Sequence, residues 1–447
     1  MSAVESSGDA AAPSDDDHRP VRWHLLTRIS FRFCVVYFGL FCLLFVQIAF
    51  VFTGVFGWWL PPGAVWWQMN ALGPVTEWVG RHVFGIDAAL HEDSRSGDQA
   101  ANWVLMFTVL VVALTTTVFW SVLDRRRTGY RRPHAWFLVF LRVCLGGQML
   151  YYGAFKVIPV QMPAPPLTVL LRPYGQLSPN SVLFLQVGSS YPYEIALGAV
   201  EVAAGALLFW PRTATLGALL AMAGMAQVFL MNMTFGVSVK ILSFQLLLVA
   251  VVLLAPQARR LADVFILDRP SPPATQPALF TSRRTNKVAA AIQITLGAWV
   301  LIGCLLISGL YWHQYGDGAP KPEPYGIWSV TQFSLDGASL PPLTTQPDRW
   351  QRLIIDDPDT ITYQRMNGEL VPVSAVIDAQ EITLFTARGP ATLTIDRTAP
   401  DRLRLSGQLD GRLVTIALQR VDPNSFILRS RGFQWVQEYP DLYPGFK

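Results

Sequence analysis

The sequence predicts a mostly α, polytopic membrane protein: a seven-helix bundle followed by a small antiparallel β-barrel or sandwich. Three observations carry that prediction. Only 15% of the 447 residues are charged and 51% are hydrophobic, whereas soluble proteins carry about 25% charged residues. The deficit is local, because long apolar runs alternate with short arginine-rich ones. Beyond about residue 311 the apolar runs stop and period-two alternation takes over, as half-buried strands require.

The elements follow in chain order. Residues 1–28 read as a disordered cytoplasmic tail, first acidic ("SAVESSGDAAAPSDDD"), then basic through Arg19, Arg22 and Arg28. A membrane-spanning helix needs about 20 apolar residues. Seven stretches meet this: 30–57, 101–123, 135–158, 192–210, 213–235, 237–256 and 288–310. The first is too long for a signal-peptide core and lacks a small-residue cleavage site, so it is expected to stay as an anchor. Residues 29–134 thus hold two spans and an outer loop with five tryptophans ("WWLPPGAVWWQMNALGPVTEW") suited to the lipid–water interface. Residues 135–260 form a four-helix unit, 261–287 a cytoplasmic linker, and 288–310 the seventh span. Between spans three and four, "SPNSVLFLQV" places a serine cap before a proline at the first helical position and is too short to span.

Charge sets the expected orientation. Sixteen basic residues in the N-terminal flank, "LDRRRTGYRRPH", "FWPRTAT" and "PQARRLADVFILDRP…FTSRRTNK" alternate with five in the intervening loops. By the positive-inside rule the N-terminus is cytoplasmic, the C-terminus extracytoplasmic, and the protein is multi-pass in the plasma membrane. The net charge of +4 then reflects topology and implies no nucleic-acid partner.

Residues 311–447 carry "RLIID", "ATLTID", "DRLRLSG", "RLVTIALQ" and "SFILRS", each alternating apolar and polar. "GQLDGR" between two of them signals a tight hairpin, since Asp-Gly tolerates positive φ. Such a domain offers a surface for an extracytoplasmic protein partner.

Conventional catalytic motifs do not account for the chain. Cys34, Cys42, Cys144 and Cys304 form no CxxC, the six histidines have no ligand spacing, and there is no GxGxxG, P-loop or GxSxG. The candidate chemistry is therefore intramembrane polarity, since a charge at the bilayer centre costs at least about 2.5–3.5 kcal/mol and usually faces a partner or cavity. The candidates are Arg142, Gln148, Tyr152, Gly153, Lys156, Glu194, Glu201, Asn232, Lys240 and Gln245. Arg142, Gly146, Met149, Gly153 and Lys156 share one helix face, whose glycines admit either a neighbouring helix or a ligand. Arg142 and Glu201 lie at similar depths from the cytoplasmic ends of antiparallel spans, roughly 12–13 Å, so they are expected to pair. Lys156, Glu194 and Lys240 are expected at the outer rim, where lysines can also snorkel. Asp98 reads as the N-cap of its own span.

The segments "LRVCLGGQMLYYGAFKV" and "ALGAVEVAAGALLFWPRTATLGALLA" resemble the DoxX family of membrane proteins over about 135–256. The resemblance implies a four-helix unit with an arginine early in one helix and a glutamate in the next, here Arg142, Gly153, Lys156 and Glu201. That family includes small subunits of thiosulfate:quinone oxidoreductase and membrane partners of redox enzymes. This chain departs from it in adding two spans before the unit, one after, and a β-rich domain, and in lacking the paired cysteines of some redox-linked relatives. Thiosulfate chemistry is not implied. The expectation is a redox-associated protein binding a quinone-like or lipidic ligand among spans three to six. The alternatives are a lipid or small-solute binder or transporter, and a scaffold for an exported partner.

Overall fold

The computed structural model describes residues 22–94, 96–271, 278–430, 432 and 434–438. Most of the predicted tail, part of the linker and the C-terminal end lie outside these residues. The chain divides into two compact units.

The first unit comprises residues up to 157 together with 197–307. Its helices are α1 (Leu25–Leu44), α2 (Val46–Phe50), α3 (Trp67–Val79), α4 (Ala100–Leu123) and α5 (Arg131–Val157), then most of α7 (Tyr191–Phe209). α8 (Ala214–Thr234), α9 (Lys240–Leu254), α10 (Ala258–Phe265) and the greater part of α11 (Arg283–Gln314) complete it. Among the described residues, seven helices are long and apolar enough to cross a membrane, α9 and α10 counting together as Lys240–Phe265.

The first span departs from the single helix predicted over 30–57. α1 ends at Leu44, and after α2 the chain runs on as a 3₁₀ segment over Val51–Trp59. Gly54 breaks this segment with φ 56° and ψ −131°. A Cβ there would lie 2.5 Å from Trp299, and the Cα of Gly54 lies 2.5 Å from a Cβ built on Gly303. The kink thus lets α11 approach the backbone, and the indole of Trp299 donates to Phe52 O at 3.1 Å. The helix break also frees carbonyls, which a bilayer tolerates only when protein groups satisfy them. Gln148 Nε2 donates to one of them, Gln47 O, at 3.0 Å. The predicted linker is shorter than expected, because α10 runs to Phe265 and α11 begins at Arg283.

The second unit comprises Ile158–Ala196 and Ser308–Lys447. Its β strands are β1 (Gly326–Leu335), β2 (Ala338–Ser339), β3 (Trp350–Ile355), β4 (Thr360–Arg365), β5 (Leu370–Ile377), β6 (Glu381–Thr386), β7 (Gly389–Ala399), β8 (Arg402–Leu409) and β9 (Arg412–Val421). All neighbouring pairs are antiparallel, and β1 pairs with β9, so eight strands close into a barrel with β2 as a short appendage. Trp328, Phe333, Trp350, Leu353, Leu393, Leu405 and Ile416 fill the interior, as expected for a barrel of this strand number. The "LDGR" turn forms as predicted, with φ 53° at Asp410 and 80° at Gly411. "SFILRS" does not form a strand. Asp422 caps a 3₁₀ turn beginning at Pro423, and α12 (Ile427–Ser430) follows; proline has no N–H to give to a sheet.

The segment between α5 and α7 belongs to this second unit. α6 (Pro179–Gly188) starts as predicted, with Ser178 Oγ accepting from Ser181 N at 3.1 Å. Leu167 packs on Ile327 and Ile354, which face out of the barrel, and Thr168 N donates to Asp356 at 3.3 Å.

Candidate functional site

The predicted Arg142–Glu201 pair does not form. Glu201 instead accepts two hydrogen bonds from Lys156 Nζ, at 2.8 and 2.6 Å, with both groups buried. The glycines explain the register. A Cβ on Gly198 would lie 2.7 Å from Gly153 O and 2.7 Å from Val157 N, and one on Gly153 would lie 2.7 Å from Val202 N. One on Gly146 would lie 2.9 Å from the Phe209 ring. The glycine face of α5 is therefore occupied by α7, a helix and not a ligand. This register sets Glu201 beside Lys156 and brings α7 to its end near the level of Arg142. α5 runs on beyond α7 by roughly three turns, so equal distances from the span ends do not mean equal depth.

The remaining predicted residues make separate interhelical contacts. Tyr152 Oη accepts from Gln47 Nε2 at 2.5 Å, and its ring lies 5.8 Å from Lys156 Nζ. Asn232 Nδ2 donates to Ser243 Oγ at 3.0 Å, joining α8 to α9, while Gln245 Nε2 donates to Tyr37 Oη at 2.7 Å, joining α9 to α1. Lys240 does not simply snorkel: its Nζ lies 3.2 Å from Asp98. Asp98 caps α9 and not its own span, accepting from Lys240 N at 2.9 Å and Ile241 N at 3.0 Å. The carboxylate of Glu194 is fully buried in the second unit and accepts from Met162 N at 3.1 Å.

Arg142 remains. It is 5% exposed, and Nη2 donates to Gln293 Oε1 on α11. Gln293 is held in turn by its Nε2 donating to Ala289 O at 2.9 Å. Nε of Arg142 is buried without an acceptor, and the guanidinium makes no ion pair among the described residues. Beside it lies a cavity of about 280 Å³, lined by α5 (Ala135, Leu138, Arg142), α8 (Ala214, Thr215, Ala218), α9 (Leu253) and α11 (Asn286, Ala290, Gln293). Among the described residues, its lining carries one cation and no carboxylate. Asn286 shapes the wall, because its side chain accepts from Phe280 N and donates to Phe280 O and Ser282 O, folding the start of α11 against the preceding loop.

Sequence reasoning finds Arg142 but misses its partner. Gln293 is a neutral residue in the seventh span, and only its helical spacing from Asn286 (seven residues) marks a shared face. It also misses Arg32, which reads as part of the basic flank. Arg32 is 1% exposed, with Nε donating to Tyr130 Oη, Nη1 to Ser121 Oγ and Nη2 to Asp124 O, each at 2.9 Å. Tyr130 Oη then donates to Asp124 at 2.6 Å, and this bond holds the Asp124 carboxyl below its ordinary range. The cysteines show one grouping that spacing could not: Cys42 and Cys144 lie in the same buried core cluster. They sit among apolar side chains, where free cysteine packs as a small hydrophobe.

No family model matches the chain, and no solved structure matches it. Among curated proteins it is similar to the uncharacterized protein YwoB of Bacillus subtilis (strain 168), at 29% identity over 133 residues, covering 28% of this chain and 79% of YwoB.

Proposed function

We propose that this integral membrane protein is DoxX-like and binds an amphiphilic ligand, lipidic or quinone-like, in the cavity beside Arg142. The observation that carries the reading is a buried arginine without a carboxylate partner, opening on a mostly apolar space between α5, α8, α9 and α11. A buried charge is costly unless it is paired, and an amphiphile would offer the polar head at Arg142 and the apolar body against Leu138 and Leu253. The redox association rests on the sequence resemblance alone. The N-terminus is assigned to the cytoplasm and the barrel to the far side on the distribution of basic residues.

The test is direct. The protein is purified in a neutral detergent, bound molecules are identified by native mass spectrometry and solvent extraction, and binding of a short-chain quinone and a short-chain lipid is titrated. A co-purifying amphiphile, or saturable binding weakened by Arg142→Gln, is the expected result. A chain that carries nothing and binds neither probe has no such function.

A further inference from the structure

The chemistry of the ligand's head group can be taken further, on the assumption that the Arg142 cavity is a binding site. Two buried arginines in the same unit provide the comparison. Arg32 has all three of its nitrogens bonded, to two hydroxyls and a carbonyl, and the tyrosine among them donates its own hydrogen bond to Asp124. Its charge is thus balanced through the protein. Arg142 has one neutral amide oxygen, a buried Nε without an acceptor, and no acid among the described residues that line its cavity. A guanidinium presents its donors in a planar fork that suits a two-oxygen acceptor. A quinone carbonyl would offer one neutral oxygen and leave the charge uncompensated.

The surroundings favour an anion as well. Arg131, Arg132, Arg212, Arg283, Arg284 and Lys287 are all exposed, and each lies within four residues along the chain of a residue that lines the cavity. A rim of one sign raises the local concentration of counter-charge.

We infer that the Arg142 cavity binds an oxyanion of the phosphate type, bidentate at Arg142. The body attached to it lies along the apolar wall formed by Leu138, Ala218 and Leu253. The shared chemistry is the phosphate group, carried by a lipid or free in solution. Gln293 sets the site's preference: its neutral amide orients the guanidinium without neutralising it.

The key variant is Gln293→Glu, which places a carboxylate at hydrogen-bonding distance from Arg142 and supplies the missing counter-charge from within. Binding is followed by calorimetry and thermal shift on the full-length protein in neutral detergent. The probes are dihexanoyl phosphatidic acid, dihexanoylglycerol, a short-chain quinone and inorganic phosphate. The expected result is that phosphatidic acid binds at least tenfold more tightly than dihexanoylglycerol or the quinone. Gln293→Glu should remain folded with an unchanged or higher melting temperature and lose that binding at least tenfold. Ala290→Leu, which fills the cavity without touching the charge, should lose it too. Inorganic phosphate binding as tightly as phosphatidic acid supports the anion site and assigns it to the free ion. Quinone or dihexanoylglycerol binding as well as phosphatidic acid, or wild-type affinity in Gln293→Glu, overturns the oxyanion assignment and leaves the ligand-binding function standing. Failure of all four probes to bind the wild-type protein removes both.

Discussion

Among the described residues, Lys156 and Glu201 form a buried ion pair while Arg142 has no ionic partner, and the two cases predict different mutational behaviour. Lys156 and Glu201 neutralise each other, with both side chains under a tenth exposed. Removing one partner leaves a buried charge alone, which costs about 3–5 kcal/mol, whereas replacing both by apolar groups is often neutral. Lys156→Met and Glu201→Leu should therefore each lower the melting temperature strongly in detergent, while the double variant recovers most of the loss. Additive losses would show that the pair contributes no mutual stabilisation. Arg142 should behave in the opposite sense. Arg142→Met removes a charge that has no ionic partner, so it should leave the melting temperature of the ligand-free protein unchanged or raise it. The sequence shows each of these charges but not the pairings, because depth along a span fixes a level only if neighbouring helices end together. α5 has 27 residues and α7 has 19, so they do not. Asp98 misleads for a related reason. An aspartate ahead of an apolar run looks like that helix's cap, and nothing local signals that it reaches Lys240 and Ile241 instead.

At the scale of elements, composition reveals the spans and periodicity reveals several strands, but neither shows breaks or close approaches. A hydropathy window does not sense φ, so the turn at Gly54 stays invisible within "VFTGVFGWW". Strands β4, β5 and β6 have short or interrupted alternation, and β5 carries Pro372, which hides them as well. The glycines give a sharp test of helix packing. A methyl group at Gly198 meets backbone atoms of α5 at 2.7 Å, which cannot move without moving the helix. Gly198→Ala should destabilise by about 1–3 kcal/mol, the usual range for overpacking. At Gly39 a methyl group would have no neighbour within 4 Å, and Gly39→Ala should be neutral or slightly stabilising. Thermal unfolding of the two variants decides whether α5–α7 contact is as tight as the geometry requires. The clamp between the α5–α7 segment and the barrel predicts a pH effect. Burial raises the Asp356 carboxyl above its ordinary value, with the Thr168 N–H opposing the shift. The folded state therefore retains a proton that the unfolded chain has lost, and stability falls as pH rises from the ordinary carboxylate range through the folded value. Asp356→Asn should flatten that decline in the full-length protein, and an unchanged pH profile would show that Asp356 is not its source.

For the whole molecule, the alternation of basic residues predicts seven crossings, and the contacts among loops must be compatible with that number. Even numbers of crossings must return the chain to the same side. Trp23 N donates to Thr128 O across two spans, and Asp98 meets Lys240 across four. Trp136 and Phe280 stack edge-on across four, as Thr168 and Asp356 are bonded across four in the second unit. Each of these contacts joins segments that seven crossings would place on one side of a membrane. They leave the absolute sense open, and only charge addresses it. Arg125, Arg126, Arg131 and Arg132 are exposed, and their side chains make no hydrogen bond or ion pair among the described residues. Their charge can therefore act on insertion without acting on the fold. A phosphatase that is active only outside the cytoplasm, fused after residue 438, should be active, and the same enzyme fused after residue 127 should be inactive. Replacing those four arginines by glutamine removes a quarter of the sixteen basic residues on the predicted inner side and should yield mixed orientations, with both fusions partly active. If the wild-type fusions give the reverse activities, the barrel is cytoplasmic and the arginine-rich end of the Arg142 cavity opens outward, where its anion would have to come from the outer leaflet.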